Sequence, residues 1–210
     1  MRMRRKPNLE ARTERCEYLL VREPGILRGR WLSEITGYNG LHVELGCGKG
    51  KFTAESAMMH PENLFVALEK ISNVLVIALE RTDAENLKNV RYINALADYL
   101  PDYFAPYEIS RLYINFCDPW PAKRHEKRRL TCRRFLEMYK QVLRPEGEIH
   151  FKTDNLELFE FSLQEVEQSG YTILQINRDL HVNGPVGVMT DYETKFHSLG
   201  MPIYQCIMRN

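Results

Sequence analysis

The chain has 210 residues, of which 44% are hydrophobic and 27% are charged, and its formal net charge is +1. This length suits one domain with a buried core and is short for two domains. No apolar run approaches the roughly 20 residues that a membrane-spanning helix needs, so the composition argues against a membrane protein.

The spacing of cysteines and histidines argues against metal and disulfide sites. The five cysteines are widely separated and form no CxxC pair, and the six histidines form no HxH or HExxH pair. We therefore expect no bound metal and no disulfide framework. This cysteine usage, together with a basic N-terminus that lacks the apolar stretch of a secretory signal, favours a cytoplasmic location.

Short apolar runs alternate with segments of helical periodicity along the chain. After a basic N-terminal arm at about residues 1–15, strands are predicted at 41–46, 63–69, 90–95, 110–116, 148–153, 171–177 and 202–208. Helices are predicted at 51–59, 71–87, 131–143 and 156–169, the third ended by the sequence RPEG at 144–147. This alternation predicts a single α/β domain over 1–210, with a Rossmann-like, mostly parallel seven-stranded sheet and helices on both faces. Such sheets bind ligands outside the carboxyl ends of their strands.

The first predicted strand runs into the sequence ELGCGKG, residues 44–50. Its alternating glycines, Gly46, Gly48 and Gly50, allow a tight turn and a close approach of the backbone to a flat ligand. A P-loop would need Ser or Thr after Lys49, and the dinucleotide fingerprint would need a glycine where Lys51 stands. The remaining pattern, GxGxG preceded by an acid, is typical of S-adenosylmethionine (SAM)-dependent methyltransferases. A glycine-rich turn that serves packing alone is the alternative.

Two acids lie where such a cofactor would need them. Glu69 ends the second predicted strand, about 20 residues beyond the glycine loop, and is expected to accept hydrogen bonds from both ribose hydroxyls. Glu44 is expected to hold the methionine ammonium group, directly or through water. We therefore predict SAM as the cofactor.

The fourth predicted strand ends in NFCDPWPAKRHEKRRL, residues 115–130. Asp118 follows the strand end, and the flanking prolines restrict the turn. Its carboxylate could bind the N1–H and amino edge of a guanine, or oppose positive charge that arrives on the base. Asp118 could instead cap a turn, and Trp120 could belong to the core.

A cluster of cations follows this motif. Between Lys123 and Arg134 there are seven Lys or Arg residues against one Glu, a local excess of +6, and the N-terminal arm adds Arg2, Arg4, Arg5 and Lys6. A solvated helix face would explain one such run. Two runs, one of them beside an aromatic residue, favour a polyanionic partner.

These motifs, with HFKTDN (150–155) and TDYETKF (190–196) downstream, closely resemble those of the bacterial tRNA (guanine-N7-)-methyltransferases, the TrmB-type family. The resemblance covers nearly the whole chain. It implies that the methyl group of SAM is transferred to N7 of the guanine at position 46 in the tRNA variable loop. It also implies that Glu44 and Glu69 contact SAM, and that Asp118 is both a SAM-side and a catalytic residue.

The resemblance further implies a tRNA partner and a set of substrate-binding and RNA-binding residues. These are Ala122, Lys123, Arg124, His125, Glu126, Lys127, Arg128, Arg129, Asp154, Thr190, Asp191, Tyr192 and Glu193. The chain departs from the family at Leu96, a cofactor position that usually carries an acid, and at Ala122, which is usually a lysine. Asp154 or its neighbours Thr153 and Asn155 could instead cap the next helix. We expect a monomer or a weak homodimer.

Three other functions stay open at this point. An amino-methyltransferase acting on adenine or cytosine carries an acid-Pro-Pro-aromatic motif, whereas here the aromatic Trp120 stands third and Pro121 fourth. A pyrimidine C5 enzyme would use a nucleophilic cysteine, for which Cys117 is the candidate. A non-catalytic RNA-binding module is the alternative from outside the enzymes.

Overall fold

The computed structural model describes residues 7–210. Arg2, Arg4, Arg5 and Lys6 of the predicted N-terminal arm therefore lie outside the described residues. Within 7–210 no helix is both long and apolar enough to cross a membrane.

The described residues form one seven-stranded sheet in the order β3-β2-β1-β4-β5-β7-β6. The strands are β1 Gly40–Leu45, β2 Asn63–Leu68, β3 Val90–Ile93, β4 Ile109–Asn115, β5 Leu143–Thr153, β6 Thr172–Asn177 and β7 Tyr204–Arg209. The first five strands are parallel, and β7 is antiparallel to both β5 and β6. The prediction of a mostly parallel seven-stranded sheet is confirmed.

Helices cover both faces of this sheet. They are α1 Leu9–Arg15, α2 Trp31–Glu34, α3 Lys51–Met59, α4 Ser72–Ala84, α5 Leu100–Tyr103, α6 Arg133–Val142, α7 Leu156–Gln168 and α8 Asp191–Ser198. One core joins α2, α5, α6 and α7 to the sheet, and the other joins α3 and α4 to the opposite face. All six residues of β1 are buried because both of its faces are covered. Each fully buried Leu or Phe of these cores contributes roughly 1.5–3 kcal/mol.

The strand register brings the predicted motifs together. Leu45 of β1 pairs with Leu68 of β2 and Ile114 of β4, and Asn115 of β4 pairs with Lys152 of β5. The carboxyl ends of four neighbouring strands are therefore nearly level, and the loops that follow them meet at one edge of the sheet.

One strand start was predicted wrongly, and one helix was missed. The helix stop predicted at 144–147 agrees with the end of α6 at Val142, but β5 begins at Leu143 rather than at 148, and Glu146 adopts a left-handed φ of 64° within the strand. Residues 191–198 form α8, where no helix was predicted. Thr190 caps α8 by accepting a hydrogen bond from the Glu193 amide, and the Glu193 carboxylate accepts one from the Thr190 amide. This capping box stabilises the start of α8, even though the glycines that precede it favour a loop.

Candidate active site

A cavity of about 1030 Å³ opens at the carboxyl ends of β1, β2 and β4. This volume reaches the upper end of the roughly 300–1,000 Å³ of typical ligand sites, so it has room for a cofactor and a second molecule. The predicted residues that line it are Glu44, Gly46, Gly48, Glu69, Leu96, Asp118, Arg128, Thr190, Asp191 and Tyr192.

The three glycines of the loop differ in what surrounds them. Gly46 and Gly48 have left-handed φ values of 76° and 57°, and a Cβ added to either would meet no atom within 4 Å. Gly50 does not line the cavity, and a Cβ there would lie 2.6 Å from Cβ of Ala78 and 2.9 Å from the Tyr92 hydroxyl. The first two glycines therefore leave open space that a ligand would fill, whereas Gly50 allows α3 to pack against α4.

Glu69 fastens the glycine loop to the end of β2. Its carboxylate accepts hydrogen bonds from the amides of Gly48, at 3.1 Å, and Ile71, at 2.9 Å. Burial raises the pKa of Glu69, and the two amide donors act in the opposite direction. Each carboxylate oxygen keeps a further lone pair, so the group can also accept from ligand hydroxyls.

Glu44 lies deeper in the cavity and is 3% exposed. Its carboxylate accepts from the Thr53 hydroxyl and, at 3.0 Å, from Nδ2 of Asn115, and burial raises its pKa. Oδ1 of Asn115 is buried and has no hydrogen-bond partner within residues 7–210. An unpartnered buried acceptor beside a carboxylate suits a bound ammonium group, a function of Asn115 that no sequence motif indicated.

Leu96 lines the cavity and is 44% exposed. It supplies no acid, and Asp98, which also lines the cavity, is paired with Arg134 at 2.8 Å. The wall beyond β3 is therefore apolar at the position where the resembled family usually carries an acid. A ligand contact there would have to come from the backbone.

Asp118 stands on a constrained turn beyond β4. Phe116 and Trp120 on either side of it adopt left-handed φ values of 52° and 42°, conformations that cost about 1–3 kcal/mol each. The Asp118 side chain is 66% exposed, and among residues 7–210 it pairs only with Lys70, at 3.3 Å. No backbone amide between residues 7 and 210 donates to this carboxylate, so Asp118 does not cap the turn in this structure.

Trp120 is half-buried at the cavity wall rather than in the core. The Arg128 guanidinium lies over its ring at 4.9 Å from the centroid, and the His125 ring meets it edge-on at 5.7 Å. These contacts join the turn of Asp118 to residues 122–129, called here the basic segment, in which Lys123–Arg128 form a 3₁₀ helix.

The basic segment exposes most of its cations but not all of them. Ala122, Lys123, Arg124, Lys127 and Arg128 are exposed, and His125 and Glu126 are half-buried. Arg129 is only 2% exposed, and it donates to the carbonyls of Pro119 and Trp120, at 2.9 and 3.2 Å, and to Glu157, at 3.2 Å. The expected RNA contact of Arg129 therefore needs correction: in this structure Arg129 supports the turn of Asp118 from below.

Asp154 is half-buried outside the cavity lining. The cap of α7 is its neighbour Asn155, whose side chain accepts from the Leu158 amide at 2.7 Å. No hydrogen bond or ion pair of Asp154 occurs within residues 7–210. The capping function predicted for 153–155 therefore falls to Asn155 and leaves Asp154 available.

Of residues 190–193, the first three line the cavity and the fourth does not. Thr190 and Asp191 line the cavity, and the exposed ring of Tyr192 stacks on Phe116 with centroids 6.4 Å apart. Glu193 points away from the cavity and is fully buried, with both oxygens 2.9 Å from the Lys152 ammonium. Direct contact of Glu193 with a substrate, as the resemblance implies, would require this pair to open.

No group of three or more His, Cys, Asp or Glu residues between 7 and 210 is arranged to hold a metal ion.

Comparison with known proteins agrees with this geometry. The family model "Putative methyltransferase" matches residues 38–206. The tRNA (guanine-N(7)-)-methyltransferase of Geobacillus kaustophilus (strain HTA426) is 45% identical over 208 residues, which cover 98% of this chain and 95% of the relative. The enzyme of the same name from Bacillus subtilis (strain 168) is 40% identical, with coverage of 98% and 97%.

Solved structures match the fold at lower identity. The 16S rRNA methyltransferase KamB superposes with a TM-score of 0.65 at 17% identity, covering 86% of this chain and 92% of KamB. At that identity the match identifies the class I methyltransferase fold alone. The family follows from the sequence relatives: the chain belongs to the tRNA (guanine-N(7)-)-methyltransferases, a family of SAM-dependent enzymes.

Proposed function

We propose that this protein transfers the methyl group of SAM to N7 of a guanine in tRNA, and that this guanine is the one at position 46 of the variable loop. The observation that carries the proposal is the joint opening of the Gly46–Gly48 cradle and the exposed Asp118 carboxylate into one cavity. Relatives that are 40–45% identical over nearly the whole chain are named tRNA (guanine-N(7)-)-methyltransferases.

The chain offers contacts for each part of the cofactor. Glu69 would accept from the ribose hydroxyls, and Gly46 and Gly48 leave room for the flat nucleoside. Glu44 and the unpartnered Oδ1 of Asn115 would accept from the methionine ammonium. SAM, when bound, supplies an electrophilic methyl group on a sulfonium.

Asp118 needs only to orient the acceptor and to balance its charge. The lone pair of guanine N7 is free at neutral pH, so the reaction requires no general base. Methylation brings positive charge onto the imidazole ring, and a nearby carboxylate stabilises that charge. Holding the two reactants in line contributes up to about 7–11 kcal/mol, and the constrained turn of Asp118 serves this positioning.

The exposed cations of the basic segment would hold tRNA phosphates. A stacked guanine must be exposed or flipped before it reaches the cavity, at a cost of a few kcal/mol. Phosphate contacts of Lys123, Arg124, Lys127 and Arg128 would offset that cost. The exposed ring of Tyr192, stacked on Phe116, offers a surface for the base.

The remaining finer statements belong to the same proposal. We place the protein in the cytoplasm as a monomer or weak homodimer, with 1–210 as one methyltransferase domain. The rival pyrimidine C5 chemistry is disfavoured because burial and the Asp118 charge raise the pKa of the Cys117 thiol to about 12. A thiol with that pKa is protonated at neutral pH and is a weak nucleophile.

The product identifies the reaction. Unmodified tRNA transcript is incubated with the protein and methyl-labelled SAM, digested to nucleosides and analysed by mass spectrometry. We expect 7-methylguanosine, and none from a transcript whose guanine at position 46 is replaced by adenine. Methylated adenine or cytosine would favour the amino-methyltransferase, and tRNA binding without any product would favour the RNA-binding module.

A further inference from the structure

Three buried charged or polar side chains join β5, α8 and the loop of residues 178–190, called here the β6–α8 loop. Lys152 is 6% exposed, His181 3% and Glu193 0%. The Lys152 ammonium donates to both Glu193 oxygens at 2.9 Å, and Nε2 of His181 lies 2.8 Å from Oε1. Since the Thr190 amide also donates to Oε2 at 3.1 Å, the Glu193 carboxylate is saturated by protein donors.

The same side chains hold the β6–α8 loop along its length. Nδ1 of His181 accepts from the Val186 amide at 3.1 Å, so Nε2 carries the proton that is donated to Glu193. The Lys152 ammonium also donates to the Val188 carbonyl at 3.1 Å. This loop contains no helix or strand, and it is also held by the Leu180 amide, which donates to the Ile203 carbonyl at 2.8 Å, and by the Met189 carbonyl, which accepts from the Lys51 ammonium at 2.6 Å.

This network ends beside the cavity. Thr190, Asp191 and Tyr192 line the cavity wall and immediately precede Glu193. The capping box makes the first turn of α8 depend on the Glu193 carboxylate. The positions of these three residues therefore depend on a carboxylate that itself has no exposed surface, together with the Arg81–Asp191 ion pair at 3.5 Å.

We propose that Lys152, Glu193 and His181 form a buried ionic clasp that positions residues 190–192 against the acceptor base. Glu193 acts through this clasp and does not touch the RNA. This inference rests on the proposed function for the identity of the acceptor. The clasp itself is a property of the fold that can be measured without any reaction.

The test compares Lys152→Met, Glu193→Gln and the double variant. Hydrogen exchange of peptides covering 178–195 reports the loop, and kcat/KM for unmodified tRNA at saturating SAM reports positioning. We expect both single variants to speed exchange in the loop and to lower kcat/KM by at least about tenfold, since displacement of about 1 Å costs up to a hundredfold. The double variant should be no worse than the worse single variant, because the pair acts as one unit.

The matched control is Glu160→Gln, which removes the exposed ion pair with Arg178 at the start of the same loop. It should retain wild-type exchange and activity. If Glu193→Gln loses activity while Lys152→Met keeps wild-type activity and exchange, Glu193 contacts the substrate and the clasp is refuted.

The double variant guards against misfolding, because it leaves no unpaired buried charge. If the single variants do not fold, wild-type exchange and kcat/KM in the double variant would refute the clasp, and faster exchange with lower kcat/KM would support it. Should the wild-type protein make no 7-methylguanosine, the proposed function fails, while the exchange rates still decide whether the clasp fixes the loop.

Discussion

The ammonium of Lys70 lies 3.3 Å from Oδ2 of Asp118, across the cavity from the end of β2 to the turn beyond β4. Both side chains are substantially exposed, at 48% and 66%, so the pair contributes about 1 kcal/mol at most. Lys70 can therefore leave Asp118 at little cost when a positively charged group arrives. The carboxylate is ready to balance the charge that methylation creates on the base.

Asp118→Asn keeps the shape of this side chain and removes its charge. We expect kcat to fall about 10²–10³-fold, the usual cost of removing one stabiliser of transition-state charge. The Kd for tRNA should change by less than about twofold, an energy below about 0.4 kcal/mol. Single-turnover rates and filter binding on one preparation separate the two effects. The matched control, Lys70→Met, should retain most of kcat; an Asp118→Asn variant with wild-type kcat would contradict the assignment.

The exposed cations of the basic segment predict the salt dependence of tRNA binding. If Lys123, Arg124, Lys127 and Arg128 each neutralise one phosphate, the slope of log K against log salt should be about −3 to −4. Replacing Lys127 and Arg128 with Gln should flatten it by about 1.4–1.8 units. Fluorescence anisotropy over a salt series measures this. A slope that the double replacement does not change would mean that the segment is only a solvated face.

Arg129 is the internal control for that experiment, because it belongs to the same run of cations but is buried. Arg129→Met should leave the salt slope unchanged. It should lower Tm, since the variant leaves two carbonyls of the Asp118 turn without their donor. A loss of about 3 kcal/mol corresponds to about 6–12 °C for a chain of this size. A flattened slope with an unchanged Tm would restore Arg129 to the RNA contacts.

The glycine loop predicts two different defects from one type of substitution. Gly48→Ala should weaken SAM binding, because its Cβ would enter the open side of the cavity and the left-handed φ costs about 1–2 kcal/mol. Gly50→Ala should mainly lower Tm, because its Cβ would lie 2.6 Å from Ala78. Calorimetric titration with SAM and thermal unfolding without it measure the two. If Gly50→Ala unfolded at the wild-type temperature and bound SAM poorly, its assignment to packing would be wrong.

Local sequence patterns predicted the mostly parallel sheet, the helix 51–59 and the glycine loop. These features could be predicted because their patterns involve residues that are close together along the chain. The clasp could not be predicted in this way, since Lys152 and Glu193 are 41 residues apart and meet only in the folded sheet. Composition likewise cannot separate the buried Arg129 from the exposed Arg128. Helix α8 could have been found: Thr190 and Glu193 have the spacing of a capping box, and the glycines before them concealed it.

The buried carboxylate of Glu44 should lower stability when it is ionised and should also favour cofactor binding. The balance between these two effects should depend on pH. Burial raises its pKa, so the folded state keeps the proton to a higher pH than the unfolded chain, whose Glu pKa is about 4.3. Stability is therefore lost as the pH rises from that value through the raised pKa. Without SAM, the Tm of Glu44→Gln minus the Tm of wild type should become larger as the pH rises from about 5 to about 8.

Added SAM should reverse this order at about pH 8, because the ionised Glu44 then pairs with the methionine ammonium and only the wild-type protein gains that contact. Thermal unfolding of both proteins at both pH values, with and without SAM, measures the effects of pH and of SAM on each Tm. Glu137→Gln, at an exposed acid on α6, is the control and should follow the wild type. If Glu44→Gln were less stable than wild type at both pH values, the hydrogen bonds from Thr53 and Asn115 would outweigh the cost of burying the charge. The carboxylate would then be part of the scaffold, and its link to the cofactor would have to rest on the SAM titration alone.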